Sequence, residues 1–306
     1  MSQLIRRCRF AVLAAAGAAI VMLGVAPGAS GTYPGRNGTV AYQTDSNDPN
    51  SGMTESSGIS SIPDGSAANC SDTSPNGDQG APCFIGRLGY SPDGTRIVAE
   101  RSGRLEALDA NGTNVNILPA LTSQDSDPAF LPDGNTIVFD GKAKGATNLY
   151  TVSADGTGLR QLTTKGGFWP APCANGSIAF INNEALYVMR AKGSGLRRLA
   201  RHASFPDCAP NSKSIVYEGA MADFIVNTKG GTRQFKGGDG GYPVFSPDGS
   251  LIASDQDLPS SEAGGYSVPS VVVERTSGRR VRKVAFGNNL NTTTFGPVAW
   301  QPKRVS

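Results

Sequence analysis

Eight carboxylates fall in three polar stretches of a 306-residue chain: Asp45, Asp48 and Glu55 within 44–57, Asp72 and Asp78 within 66–87, and Asp255, Asp257 and Glu262 within 255–267. Arg87 is the only base in those stretches. Carboxylates gathered with so little compensation suit a cationic partner, or a hard cation such as calcium held by Asp and Asn oxygens. Neither Asp45-Ser46-Asn47-Asp48-Pro49 nor Asp255-Gln256-Asp257 completes a calcium-loop pattern, so no cofactor is expected and calcium is the sole candidate for one. Carboxylate pairs also serve as acid and base in glycoside hydrolysis. A carbohydrate-active or other hydrolytic enzyme using these acids is therefore the alternative to a binding protein.

Other chemistry is scarce. The single histidine, His202, excludes every metal site built on several histidines. No Gly-x-Ser-x-Gly elbow is present for a Ser-His-Asp hydrolase, so no catalytic residue and no metal ligand is assigned. Of five cysteines, Cys8 lies in a leader-like start, which leaves Cys70, Cys83, Cys173 and Cys208. An even number in an exported chain reads as disulfides.

Arg6, Arg7 and Arg9 precede an unbroken apolar run over 10–26, and small residues follow at Gly28, Ala29 and Ser30. A basic head, an apolar stretch and small residues make a secretory leader over 1–30, with the folded part at 31–306. The whole chain carries a formal charge of +3 from 28 bases and 25 acids. All three excess charges are leader arginines, so the remainder is neutral and offers no electrostatic footprint for nucleic acid.

The positioning elements follow from a repeat. Gly numbers 39 and Pro 20, a composition that disfavours helix interiors and fits a turn-rich all-β chain. One half of the repeat is strand, turn, strand: Tyr90-Ser91-Pro92-Asp93-Gly94 before Ile97-Val98-Ala99, Phe130-Leu131-Pro132-Asp133-Gly134 before Ile137-Val138-Phe139, and Phe245-Ser246-Pro247-Asp248-Gly249 before Leu251-Ile252-Ala253. Weaker copies begin at Pro172-Cys173-Ala174-Asn175-Gly176 and Cys208-Ala209-Pro210-Asn211-Ser212. The other half turns at Asn111-Gly112, Asp155-Gly156, Lys192-Gly193, Lys229-Gly230 and Ser277-Gly278. Asp-Gly and Asn-Gly between apolar runs signal hairpins, here with two turn residues at positive φ. Phe130, Phe245 and Trp300 hold equivalent places and read as wedges between units. Arg197, Arg198 and Arg201 read as solvated outer-hairpin charges.

These motifs resemble the TolB-type propeller repeat, also called the WD40-like or PD40 repeat, and the resemblance covers essentially everything after the leader. It implies an all-β, six-bladed propeller of four-stranded antiparallel blades. A first blade with Val40-Ala41-Tyr42 and a strand at 59–62 would be closed by the C-terminal strand over 296–302 pairing near Val40. The α/β domain that precedes the blades in TolB is not expected here.

In such a disc the second turn of each blade and the connection to the next share one face, and the three acidic stretches are the enlarged loops there. Long loops in a compact domain are commonly functional. Cys70 and Cys83 share one connection, while Cys173 and Cys208 sit in opening strands of adjacent blades, which predicts those two pairings. The expected molecule is a non-catalytic monomer in the periplasm or outside the cell, without stable membrane insertion after leader cleavage. It would bind a protein or cell-envelope ligand through the acidic loops.

Overall fold

The computed structural model describes Tyr33 and residues 36–41, 44–47, 54–57, 88–101, 103–110, 114–235, 241–259, 267–277, 280–285, 292–295 and 299–303. Among them the first strands are β1 (Arg36–Ala41), β2 (Thr44–Asn47) and β3 (Thr54–Ser57). Blade I follows with β4 (Leu88–Tyr90), β5 (Arg96–Arg101), β6 (Arg104–Asp109) and β7 (Asn116–Ile117). Blade II holds β8 (Gln124–Phe130), β9 (Thr136–Ala143), β10 (Ala146–Ser153) and β11 (Arg160–Gln161). Blade III holds β12 (Phe168–Pro172), β13 (Ser177–Asn182), β14 (Ala185–Arg190) and β15 (Arg197–Arg201). Blade IV holds β16 (Ser204–Cys208), β17 (Ser214–Glu218), β18 (Asp223–Asn227) and β19 (Thr232–Gln234). Blade V holds β20 (Gly241–Phe245), β21 (Leu251–Pro259), β22 (Ser267–Arg275) and β23 (Arg280–Ala285), before β24 (Thr292–Phe295) and β25 (Ala299–Lys303).

The described residues form five four-stranded antiparallel blades, not the six the repeat predicts. Where the sixth blade was expected there are two smaller ladders: β1 pairs with β25, and β2, in a stretch expected to be loop, lies between β24 and β3. Composition accounts for the failure, since β2 reads Thr-Asp-Ser-Asn and β3 reads Thr-Glu-Ser-Ser. Neither supplies an apolar residue that a blade could bury against its neighbour. The strand expected at 59–62 lies outside the described residues. Pairing of the C-terminal strand near Val40 is present, with Val40 opposite Trp300. Strand β25 also packs against β20 and β4, so it closes the ring of innermost strands.

Each Pro-Asp-Gly segment makes the expected hairpin by a different turn. Gly94 donates its N–H to the Ser91 carbonyl at 2.8 Å, and Asp93 accepts the Thr95 N–H at 3.1 Å and the Thr95 hydroxyl at 2.7 Å. Only Gly94 adopts positive φ, at 71°, so the loop is a type I turn finished by a left-handed residue. Asp133 and Asp248 act in the same way, which makes these acids turn formers.

The core lies between blades. Phe130 is fully buried with Val98 and Leu105 of blade I on one side and Ile137 and Tyr150 of its own blade on the other. Phe245 packs likewise against Ala209 and Val216 of blade IV. Gly89 lets inner strands approach, since a Cβ there would stand 3.2 Å from the Ala129 Cα. Arginine clasps tie neighbouring blades: at the outer strands Arg160 donates to the Lys192 carbonyl at 2.9 Å, Arg233 to that of Thr276 at 2.9 Å and Arg197 reaches Thr228, while nearer the axis Arg96 reaches Gly134. Arg197 is thus an inter-blade link and not only a solvated charge.

Cys173 and Cys208 form the predicted disulfide between blades III and IV, with Cα atoms 5.2 Å apart. Cys70 and Cys83, like the leader, lie outside the described residues. The bond closes a loop of 35 residues' separation, for which chain entropy predicts about 3–4 kcal/mol of stabilisation. Denaturant titration with and without reductant should show a loss near that size, and an unchanged midpoint would contradict it.

Candidate functional site

Four inner strands carry the same irregularity. In β8, β12, β16 and β20 the pairing shifts between Ser126 and Ala129, Phe168 and Ala171, Ser204 and Asp207, and Gly241 and Val244. Two inner-strand residues stand there against one on the second strand, which defines a β-bulge. The second residue of each pair is proline: Pro128, Pro170, Pro206 and Pro243. A bulge leaves one residue unpaired, so the missing N–H removes no ladder bond. The residue before each proline sits at positive φ: Asp127 at 50°, Trp169 at 50°, Phe205 at 44° and Tyr242 at 56°. Bulky residues avoid that region at a cost of about 1–3 kcal/mol, so three aromatics held there in register mark a site under constraint.

Those aromatics touch. The Trp169 and Phe205 rings are 4.1 Å apart between centroids, as are Phe205 and Tyr242, with interplanar angles of 34° and 48°. All three side chains are partly exposed, so they form an arc across blades III, IV and V with Asp127 in the equivalent place on blade II.

Acidic residues recur at one register of the second strands. Asp140 pairs with Ser126, Glu218 with Ser204 and Asp255 with Gly241, and Glu100 follows Ala99 at the matching register of blade I. Only blade III breaks the series, with Ile181 opposite Phe168. Buried Asp140 accepts the Trp169 N–H of the next blade at 3.1 Å and the Ser126 hydroxyl at 3.1 Å. Glu218 accepts the Tyr242 N–H in the same cross-blade manner.

Burial raises the pKa of all three described acids. Desolvation lifts Asp140 well above the usual carboxylate range, helped by a hydrogen bond and charge repulsion from Asp127. Desolvation also raises Glu218, against the Tyr242 N–H that lowers it. Glu100 is pushed up to about 7 by desolvation and by Asp127, against the N–H of Gly103 at 2.9 Å.

The opposite end of the inner strands is filled. Tyr33 is buried there and its hydroxyl donates to the Phe130 carbonyl. Desolvation raises its pKa, and the charges of Asp133 of blade II and Asp207 of blade IV add to the shift.

Of the acids expected to form the site, Asp255 and Asp257 lie on β21, opposite Gly241 and Pro269. Asp45 and Glu55 lie on the paired β2 and β3. Asp48, Asp72, Asp78 and Glu262 fall outside the described residues. Strand β24, which pairs with β2, also packs against β22 of blade V. His202 is exposed and sits 3.8 Å from Glu184. Among the described residues no group of three or more His, Cys, Asp or Glu is placed to hold a metal ion, and no helix is long and apolar enough to cross a membrane. The arc escaped sequence reasoning, although its signal was present as Trp-Pro, Phe-Pro and Tyr-Pro at one place in successive repeats.

The fold is that of known propellers. TolB from Acinetobacter baumannii superposes with a TM-score of 0.62 at 14% identity, covering 87% of this chain and 68% of that one. A protein assigned as TolB from Agrobacterium tumefaciens gives 0.57 at 15% identity, covering 87% and 100%. A chain of a nidogen–laminin complex gives 0.58 at 11% identity, also covering 87% and 100%. No protein-family model matches the sequence.

Glu100 yields a signed pH prediction. The folded protein keeps its proton to about pH 7, whereas the unfolded chain releases it near 4.5. This preference stabilises fully below the lower value and is lost as pH rises through the upper. Glu100→Gln should therefore match the parent at pH 4 and exceed it by about 2 kcal/mol at pH 8, a figure reduced for partial exposure. Equal stability differences at both pH values in chemical denaturation would contradict this.

Proposed function

We propose that the chain is an exported, non-catalytic binding propeller that takes a protein or cell-envelope ligand over the arc of Trp169, Phe205 and Tyr242. The repeats are read as TolB-type, WD40-like units, and the molecule as a monomer working outside the cytoplasmic membrane. The observation that carries the binding role is the repeated positive-φ bulge. Three blades hold a bulky ring in an unfavourable backbone state, partly exposed and tilted against its neighbour with centroids 4.1 Å apart, where Gly would fold without the strain. Rigid aromatic surface of this kind anchors ligands. The Asp255 register brings one residue of the expected acidic set to the level of Gly241, next to Tyr242 in sequence.

The hydrolytic alternative is less well supported. Glycoside hydrolysis needs carboxyl groups roughly 5–9.5 Å apart, whereas Asp127 and Asp140 are hydrogen-bonded to each other.

Arrays of peptides and bacterial-envelope glycans, probed with the labelled full chain and with its Phe205→Ala/Tyr242→Ala form, test the proposal. Ligands held by the parent should lose about tenfold or more in affinity in the double variant at unchanged fold. Equal binding by both proteins, or by neither, would contradict it.

A further inference from the structure

Blades II and III each turn a stacked aromatic pair toward the blade before them, Phe139 with Tyr150 and Phe180 with Tyr187, both with ring centroids 5.7 Å apart. Between blades I and II the pair is sealed. Leu118 is 1% exposed there, and Leu121 of the connection to blade II packs on the same cluster. Between blades II and III the connection reads Thr163-Thr164-Lys165-Gly166-Gly167 and supplies no apolar cover. Leu162, which follows the outermost strand of its blade as Leu118 does, stays partly exposed. The result is a groove of about 310 Å³ walled by Leu162, Phe180, Tyr187, Met189 and Leu196, and Leu196 at 59% exposure shows that it opens to solvent. Among the described residues that line it, Lys165 alone is charged. Lys165 lies at the Asn182 end, where the Asn182 side-chain amide donates to its carbonyl at 3.0 Å. Met189 pairs with Ile178 at the other end of β13, so the groove runs about 13 Å from the lysine along the apolar wall. Glu184, just beyond Asn182, lies 3.8 Å from His202, and among the described residues no carboxylate pairs with Lys165.

We infer that this groove binds a medium-chain fatty acid, with a chain of about ten carbons along Phe180, Tyr187 and Met189 and the carboxylate paired with Lys165. The site is separate from the aromatic arc and uses none of its rings. Size, wall and charge each narrow the ligand. The volume stands at the lower end for small-molecule sites, and the length matches an extended alkyl chain of that size. Such a chain would give the Phe180–Tyr187 pair the cover that Leu121 gives its counterpart next door. Met189 is a wall that adapts to a flexible chain. A sugar or polar peptide would bring hydroxyl and amide groups against a wall that offers them few partners. One cation at one end, with no acid beside it, favours a molecule that is negative at one terminus.

Nuclear magnetic resonance titration of the isotope-labelled, disulfide-bonded full chain tests the inference with four probes: decanoate, octanoate, 1-octanol and decyltrimethylammonium. Decanoate should move the Gly166 and Gly193 amides with a Kd of about 1 mM or lower. Octanoate should bind about tenfold more weakly, for the two methylenes it lacks. Lys165→Gln should weaken both acids about threefold and leave 1-octanol unchanged. Leu196→Gln should weaken acid and alcohol alike. Both side chains are exposed, so each variant should keep the parent's melting temperature. The Phe205→Ala/Tyr242→Ala form should bind decanoate as the parent does, which separates this site from the arc. Unmoved Gly166 and Gly193 amides, 1-octanol binding as tightly as octanoate, or decyltrimethylammonium binding as tightly as decanoate would overturn the inference. Equal decanoate affinity in the parent and in Lys165→Gln, or its loss in the double variant of the arc, would overturn it too.

Discussion

A single cross-blade hydrogen bond organises the candidate site: the Trp169 N–H, exposed by a bulge in one blade, donates to the buried carboxylate of Asp140 in the blade before it. The bulge needs a residue in the left-handed region and a proline that asks for no ladder partner. Its freed N–H would otherwise be a buried, unsatisfied donor, and the carboxylate answers it. Glu218 and Tyr242 repeat the arrangement two blades further on. Burial raises the pKa of both acids against these hydrogen bonds, which lower it, and the rings stay partly exposed.

The rest of the molecule makes the pairing possible. Apolar residues such as Phe130 and Phe245 fill the space between blades, and arginine clasps fix the outer strands to their neighbours. The Cys173–Cys208 bond joins the inner strands of blades III and IV near their other ends. Tyr33 fills that end. Neighbouring inner strands are thereby held close enough for rings on successive blades to meet.

Much of the fold was legible because its turns depend on local chemistry. Pro-Asp-Gly specifies a hairpin through a side-chain acceptor and one left-handed glycine, both set by residues adjacent in sequence. Blade number was not legible in this way, since counting turns does not test the strands that flank them. The difference lies in what each strand can bury. The arc was hidden for another reason: its members become neighbours only once the register of four separate ladders is known. Asp255 shows both sides of this limit, for its charge was noticed from sequence, but only its pairing with Gly241 aligns it with Glu100, Asp140 and Glu218.

The most direct measurement is a pH titration of the Trp169 backbone amide by nuclear magnetic resonance. If Asp140 accepts that N–H and is held protonated by burial, the amide shift should move with an apparent pKa well above the usual carboxylate value of 3.8. An amide that titrates in the ordinary carboxylate range, or not at all, would contradict the cross-blade anchor on which the site depends.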